Sequence, residues 1–533
     1  MEVTDWYLAA ADRGNEWTRL DRRHAGGIAW TEGNAVTALI HGAAYFSDLR
    51  QRLATVGPGD LVLFTDWRGD PDEAMDDSGT TVSEAFCQAA ARGAVVRGLI
   101  WRSHLDKLSL SEQENRHLGE NIEAAGGVCL LDQRVRPGGS HHQKLVVLRH
   151  RGRSELDVAY VGGIDLCHSR RDDAEHRGDP QPQPMAAAYG KRPPWHDIQL
   201  RISGPAVADV ETVFRERWED RAPLTRNPID VISERVHRDA TRAKPLPQPF
   251  PDPAPAGNAC VQLLRTYPRR RRGYPFAPQG ERSVARGYDR VVARARSLVY
   301  IEDQYLWSSD IVRCFAESLQ RNTTLRLIAV IPMYPDQDGR ISTPPNLVGR
   351  RQALEVLRAA APGRFAVYCL ENHESTPVYV HAKACIADDV WASIGSDNIN
   401  RRSWTHDSEL TCAILDQERD DREPTVVDAF GNGARRFARH LRLELAREHL
   451  DRAPGDDADL IDPGSAFAAF AASAERLQRW HDGGRVGPRP PGRLRPYVAP
   501  RLSRATRLWA TPLYQLVYDP DGRPRSMRRR NEF

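Results

Sequence analysis

The sequence predicts an α/β protein made of two tandem α/β sandwich halves related by pseudo-twofold symmetry, with a site at their interface. Three observations lead there. One short pattern is written twice: His142-Gln143-Lys144 leads through an apolar run to Gly162-Gly163-Ile164-Asp165, and His381-Ala382-Lys383 leads through another, which contains Asp388, to Gly395-Ser396-Asp397-Asn398. Before each copy, strand-like and helix-like runs alternate in the same order, as parallel sheet with covering helices requires. Finally, 533 residues of ordinary hydrophobic content are enough for two or more cores.

In the first half, residues 61–67 (Leu-Val-Leu-Phe-Thr-Asp-Trp) read as a strand because they are apolar, β-branched or aromatic almost throughout. Residues 82–92 then read as a helix, 94–101 as a strand, 111–125 as a helix and 128–131 as a strand ahead of His142. The second half repeats the series: strand 298–303, helix 311–320, strand 325–331, helix 347–361 and strand 365–370 ahead of His381. The halves are assigned to residues 1–221 and 285–450. Residues 222–284 read as an irregular Pro/Arg-rich linker, since prolines at every second position from Pro245 to Pro253 exclude a core helix or central strand. Residues 451–533 form an Ala/Arg/Pro-rich extension in which 466–480 suits a helix and 487–500 does not. No separate lipid-binding domain fits before residue 55.

A net charge of +3 is small for this size and argues against a general nucleic-acid binder. Basic charge is local, in Arg269 to Arg272 and along the tail from Arg485 to Arg530. The eight cysteines lack close pairs and read as mostly buried free thiols. Met1 to Asp5 carries acids and no basic-then-apolar stretch, and no apolar run reaches the length of a membrane span, so a cytoplasmic, soluble or peripherally membrane-bound chain is expected. The histidines show no Cys/His or carboxylate clustering along the chain, and there is no EF-hand loop, so neither metal nor cofactor is expected.

The doubled pattern carries the chemistry. On a strand, each histidine and the lysine two residues on project to one face. An imidazole attacks or exchanges protons, and an ammonium suits a phosphate oxygen. Two such units supply a histidine to each side of a phosphodiester, one to attack phosphorus and one to protonate the leaving alcohol. Each imidazole then needs an acid on its other nitrogen, and Asp197 and Glu409, downstream of the two motifs, are the candidates. Gly163, Asp165, Ser396 and Asn398, in the small-residue turns, are candidates to line the substrate pocket. His141 is turned away from Lys144 by strand alternation, His196 reads as structural, and Trp67, Trp195 and Tyr305 read as packing residues.

These blocks resemble the phospholipase D superfamily, which carries HxKxxxxD twice, and in particular its eukaryotic-type branch. The resemblance rests on Thr65-Asp66-Trp67, Val161 to Cys167, Pro194-Trp195-His196-Asp197 with Gly204-Pro205, Tyr300 to Tyr305, and Val380-His381-Ala382-Lys383 through Asn400, over roughly residues 55–220 and 285–412. It implies His142 as nucleophile and His381 as acid/base. Lys144, Lys383 and Asn398 would bind phosphoryl oxygens, and Asp197 and Glu409 would orient the histidines. The implied activity is hydrolysis of the distal phosphodiester of a glycerophospholipid to phosphatidate and a headgroup alcohol, with transphosphatidylation when an alcohol intercepts the phosphohistidine. The partner implied is phospholipid; the arginine run at 269–272 reads as a solvated loop, which an anionic membrane surface would nevertheless attract by about 1 kcal/mol per basic residue near the interface. A cardiolipin-synthase-like phosphatidyltransferase, a nuclease-type phosphodiesterase and a catalytically impaired lipid-binding homologue are the alternatives, with nucleic acid the disfavoured substrate. One position departs from the pattern: Arg149 stands where the first motif calls for Asp, whereas Asp388 is in place. An aspartate seven residues beyond its histidine faces the far side of a regular strand, which makes it structural and leaves the first site competent.

Overall fold

The computed structural model describes residues 3–103, 111–237, 239–424, 433–530 and 532–533. Its backbone is organised as two sheets of one topology. In the first, the strands run in the spatial order Val128–Asp132, Val95–Trp101, Leu61–Asp66, Leu145–Arg149, Val158–Gly162, Ile198–Ser203 and Thr31–Ile40. In the second the order is Phe365–Glu371, Arg326–Val330, Leu298–Glu302, Ala384–Ala387, Trp391–Gly395, Glu409–Asp416 and Ala259–Tyr267. The first three strands of each sheet are parallel and the next four antiparallel. The last strand of one pairs with the last of the other, at Thr31 with Val261 and Asn34 with Ala259, so the two sheets meet edge to edge.

Strand alternation sorts the core into layers. Leu61 and Leu63, Leu145 and Val147, Leu298 and Tyr300 turn into a central core shared by both sheets. Val62, Phe64, Val146 and Leu148 turn outward under the helices Gly42–Leu53, Val82–Ala91 and Ser111–Ala124. Val299 and Ile301 do the same under Ser283–Arg294, Arg313–Arg321 and Thr343–Ala360. Thr81 starts the second of these helices with a capping box: its side chain accepts from Glu84 N, and Glu84 accepts from Thr81 N.

The expected strand and helix series is present in both halves, with ends displaced by a residue or two and the helix expected from 347 beginning at Thr343. Three differences matter. The expected linker is not irregular throughout: it contains the helix Pro228–His237 and the strand Ala259–Tyr267, which is fully paired along Glu409–Asp416. The alternation of Ala259 to Tyr267 was obscured by the proline and arginine runs that flank it. Residues before 55 are integral to the first half, supplying its terminal strand and a covering helix. In the extension, Pro463–Asp482 is a helix as expected, and Leu494–Pro496 adds an antiparallel strand beside Phe365–Glu371. All eight cysteines are unpaired, six of them buried. Among the described residues no helix is long and apolar enough to cross a membrane.

Candidate active site

The His-x-Lys segments are not part of their strands, as expected from alternation, but lie immediately before them, the strands beginning at Leu145 and Ala384. The reason is that their backbones are hydrogen-bonded across to the other half: His142 N donates to Ser408 O at 2.9 Å, and His381 N to His196 O at 2.8 Å. This exchange continues in the side chains. His142 Nδ1 meets Glu409 Oε2 at 2.9 Å, and His381 Nδ1 meets Asp197 Oδ2 at 2.6 Å. Each histidine is thus oriented by an acid from the opposite half. Both lysines fold back in the same way, Lys144 Nζ donating to His142 O at 2.9 Å and Lys383 Nζ to His381 O.

The turns after the motifs divide their work. Ser396 Oγ donates to Glu409 Oε2 at 2.5 Å and accepts from Leu410 N at 3.1 Å, so its hydroxyl is committed to the acid. A Cβ on Gly163 would collide with Asp197 Oδ1, so that glycine makes room for the other acid. These two residues, expected at the substrate, support the orienting carboxylates instead. Asp165 and Asn398, two residues further on, occupy matching positions. Asp165 Oδ1 lies 3.4 Å from Lys144 Nζ, and Asn398 Oδ1 is buried without a hydrogen-bond partner among the described residues. The backbone beside each is pinned by a strand-end aspartate: Asp66 Oδ2 accepts from Leu166 N and Asp303 Oδ2 from Ile399 N, at 2.9 and 2.8 Å. Asp66 and Arg170 are functional neighbours that sequence reasoning missed. Burial and the Asp165 carboxylate raise the Asp66 pKa well above the usual carboxylate range. The Arg170 guanidinium lies 3.8 Å from Asp165 and 4.0 Å above the ring of Trp195, which itself packs 5.0 Å from the His381 ring. Trp67 stacks on Trp101 and lies roughly perpendicular to the His142 ring, and Tyr305 packs on Trp307.

Burial and the neighbouring Lys383 ammonium push the His381 pKa down to about 3, against the pull of Asp197. Burial lowers Lys383 itself to about 8, with Lys144 adding to the shift. Burial alone would raise Asp197, but His381 and Lys383 bring it below its usual value. His381 is therefore neutral in the fold and protonated in the unfolded chain below its ordinary 6.5. Where the unfolded chain binds the extra proton, stability rises with pH. The stability held by this group is complete above about pH 6.5 and is lost as pH falls toward about 3. Urea unfolding across that window should give a shallower pH dependence for His381→Gln than for wild type. An unchanged slope would contradict a neutral buried His381.

The Asp388 carboxylate accepts from the backbone N–H groups of Arg296, Ser297 and Leu298 at 2.7, 2.8 and 3.0 Å, fixing the start of the Leu298–Glu302 strand. Arg149, at the matching place beside Leu61, is fully buried. Its guanidinium bonds Asp157 at 2.8 Å, Glu211 on the helix Ala206–Trp218, and the carbonyl of Pro251 at 2.6 Å, which clasps the proline-rich segment to the first half. His141 is turned away, with Nδ1 on Ser408 Oγ at 2.6 Å.

Two family models match the chain, one described as Phospholipase D over residues 127–331 and one as Cardiolipin synthase, PLD-like domain, over residues 289–423. Each spans one His-x-Lys motif. The chain belongs to the phospholipase D superfamily. Curated relatives of this superfamily member include phospholipase D alpha 2 of Oryza sativa subsp. japonica, 26% identical over 69% of this chain and 58% of that protein. Phospholipase D alpha 1 of Arabidopsis thaliana is 25% identical over 72% of this chain and 60% of that one. The chain thus spans somewhat under two thirds of the length of these relatives. Among solved structures, phosphatidylserine synthase of Haemophilus influenzae Rd KW20 superposes with a TM-score of 0.50 at 14% identity, over 75% of this chain and 86% of that one, a likeness of fold.

A feature outside the motifs overturns the expectation that the histidines do not cluster with carboxylates. His41, His176, His196 and Glu448 converge in the interior, and His196 also meets Glu302 and His449. No sequence signal announces it, because the residues come from distant stretches without a motif.

Proposed function

We propose that the protein is a phospholipase D that hydrolyses the distal phosphodiester of glycerophospholipids through a phosphohistidine. The crossed histidine–acid pairs carry this reading. Glu409 on Nδ1 leaves Nε2 of His142 as the attacking lone pair, and Asp197 does the same for His381, whose Nε2 serves the leaving oxygen. Lys144, Lys383 and Asn398 receive the phosphoryl oxygens. Burial and the Lys383 ammonium keep His381 neutral at rest, but the anionic phosphodiester offsets that charge, so Nε2 takes up a proton from solvent as substrate binds and holds it for the acid step. His142 attacks phosphorus, His381 protonates the departing headgroup alcohol, and the same imidazole then deprotonates the water that opens the phosphohistidine.

A lipid surface as the source of substrate is supported by the C-terminal extension. Leu508 and Leu516 are 81% and 76% exposed, with Trp509 and Val517 also outward, on a stretch that carries Arg504 and Arg507. Leu516 borders an open cavity of about 1280 Å³ walled by Arg136, Arg269, Arg271, Arg313 and Arg528. Apolar side chains beside arginines suit the interface of an anionic bilayer. Arg270 does not share that role, its guanidinium being held by Asp220 at 2.6 Å and by the ring of Tyr274.

Headgroup release from vesicles of phosphatidylcholine, phosphatidylethanolamine and phosphatidylglycerol, with and without a primary alcohol, tests this reading. Phosphatidate, replaced by the phosphatidyl alcohol when alcohol is present, is the expected product. Turnover only with a lipid alcohol as acceptor would favour a cardiolipin-synthase-like transferase, and cleavage of plasmid DNA with inert lipids would favour a nuclease.

A further inference from the structure

The buried histidine cluster draws on four separate stretches: His41 ahead of the helix Gly42–Leu53, His176 in a loop, His196 beside Asp197, and Glu448 on the helix Arg436–Leu450. The facing atoms all lie within 4.8 Å of one another. His41 Nε2 is 2.8 Å from Glu448 Oε2, while His176 Nε2 and His196 Nδ1 are 3.0 and 3.3 Å from Glu448 Oε1. His176 and His196 are wholly buried, and His41 nearly so.

Proton placement makes this cluster informative. His176 Nδ1 faces the carbonyl oxygen of Trp195 at 3.1 Å, which can only accept, so Nδ1 carries the proton. His196 Nε2 faces Glu302 Oε2 at 2.7 Å, on a carboxylate that also receives Tyr300 and His449, so there Nε2 carries it. In neutral imidazoles the remaining nitrogens are lone pairs, and both of these point at one anionic carboxylate oxygen. A second proton on each ring, with ring centres 5.6 Å apart in the interior, a proton on Glu448, or a cation among the donors would each meet these lone pairs. His41 adds a third ring at 4.8 and 5.0 Å from the other two and holds φ 67°, ψ 156°, a conformation that ordinary side chains avoid. A strained, buried histidine aimed at the other oxygen of the same carboxylate is what a ligand clamp requires.

We propose that His41, His176, His196 and Glu448 bind a structural zinc-class divalent transition metal. Three imidazoles and one carboxylate make a closed four-donor set, as in structural zinc sites, where bonds of about 2.0–2.1 Å put neighbouring donors about 3.3 Å apart. Imidazole nitrogen selects such metals over calcium or magnesium. The Trp195 carbonyl and Glu302 carboxylate, each receiving a ligand's other N–H, are the partners that fix metal-bound imidazoles. The metal would anchor the strip that carries Asp197: His196 O accepts from His381 N and Ala382 N at 2.8 and 3.2 Å, and His41 N donates to Asp197 O at 2.8 Å.

Elemental analysis of the full chain, prepared without a histidine tag and dialysed, should find about one zinc per chain. Exchange with Co2+ should give the intense visible absorption of a four-coordinate ion. Stripping with a strong chelator should lower the melting temperature, and Zn2+ should restore it. The folded His41→Ala protein should lose bound zinc by roughly tenfold or more. Wild-type protein holding less than about a tenth of an equivalent and giving no Co2+ spectrum overturns the proposal, as does full occupancy in folded His41→Ala. If that variant does not fold, the wild-type metal content and Co2+ spectrum decide alone.

Discussion

His142→Ala and His381→Ala should each lower kcat/KM for phospholipid by about 10⁴-fold or more, because attack and leaving-group protonation act as one unit and neither survives without the other. The two variants should fail differently. With His142 gone, no phosphorus from a labelled substrate should remain on the protein after a rapid acid quench. With wild type, the label should sit on His142. A label found only on His381 would exchange the two roles, and either variant retaining near wild-type turnover would exclude the double-displacement reading. Burial is consistent with the assignment: the His142 side chain is 16% exposed against 6% for His381, so the proposed nucleophile is the more accessible of the pair.

Arg149→Asp should cost about 3–5 kcal/mol of stability, the range for breaking a buried ion pair and leaving its partner charge uncompensated. The loss has a specific cause. Asp157 and Glu211 both bond this guanidinium, leaving only the His150 N–H on the first and Arg215 on the second, and a third carboxylate among them would add repulsion where compensation was removed. The carbonyl of Pro251 would lose its donor as well. Urea unfolding measures the stability change, and the folded fraction should keep its specific activity, because Arg149 touches neither histidine nor lysine of the site. Wild type inactive on every phospholipid, with activity appearing in Arg149→Asp, would instead identify the arginine as a disabling change.

The outline of both halves was legible because buried strands announce themselves: the runs at Leu61 and Leu298 are apolar on both faces, and both faces are in fact packed. The doubled motif, the acids downstream of each copy and the family resemblance also brought His142, Lys144, His381, Lys383, Asp197 and Glu409 together on paper. What could not be read was which acid serves which histidine. Proximity in sequence favours pairing within a half, and the fold does the opposite, because each motif's backbone docks on the other half. Ala259–Tyr267 was lost for a different reason: its own pattern is a strand's, but the surrounding prolines and arginines dominate any window that contains it. The histidine–glutamate cluster lay beyond reach altogether, since its members at 41, 176, 196 and 448 share no spacing that chemistry would dictate.

The crossed acids have a consequence for how such a chain tolerates change. Duplication usually brings redundancy, so that one copy can drift while the other preserves the trait. Here Asp197 bonds His381 and Glu409 bonds His142, so neither copy holds both its histidine and that histidine's acid, and neither can shelter the other. A lesion in one copy is felt at once in its sibling, and the pair must be inherited, and lost, together.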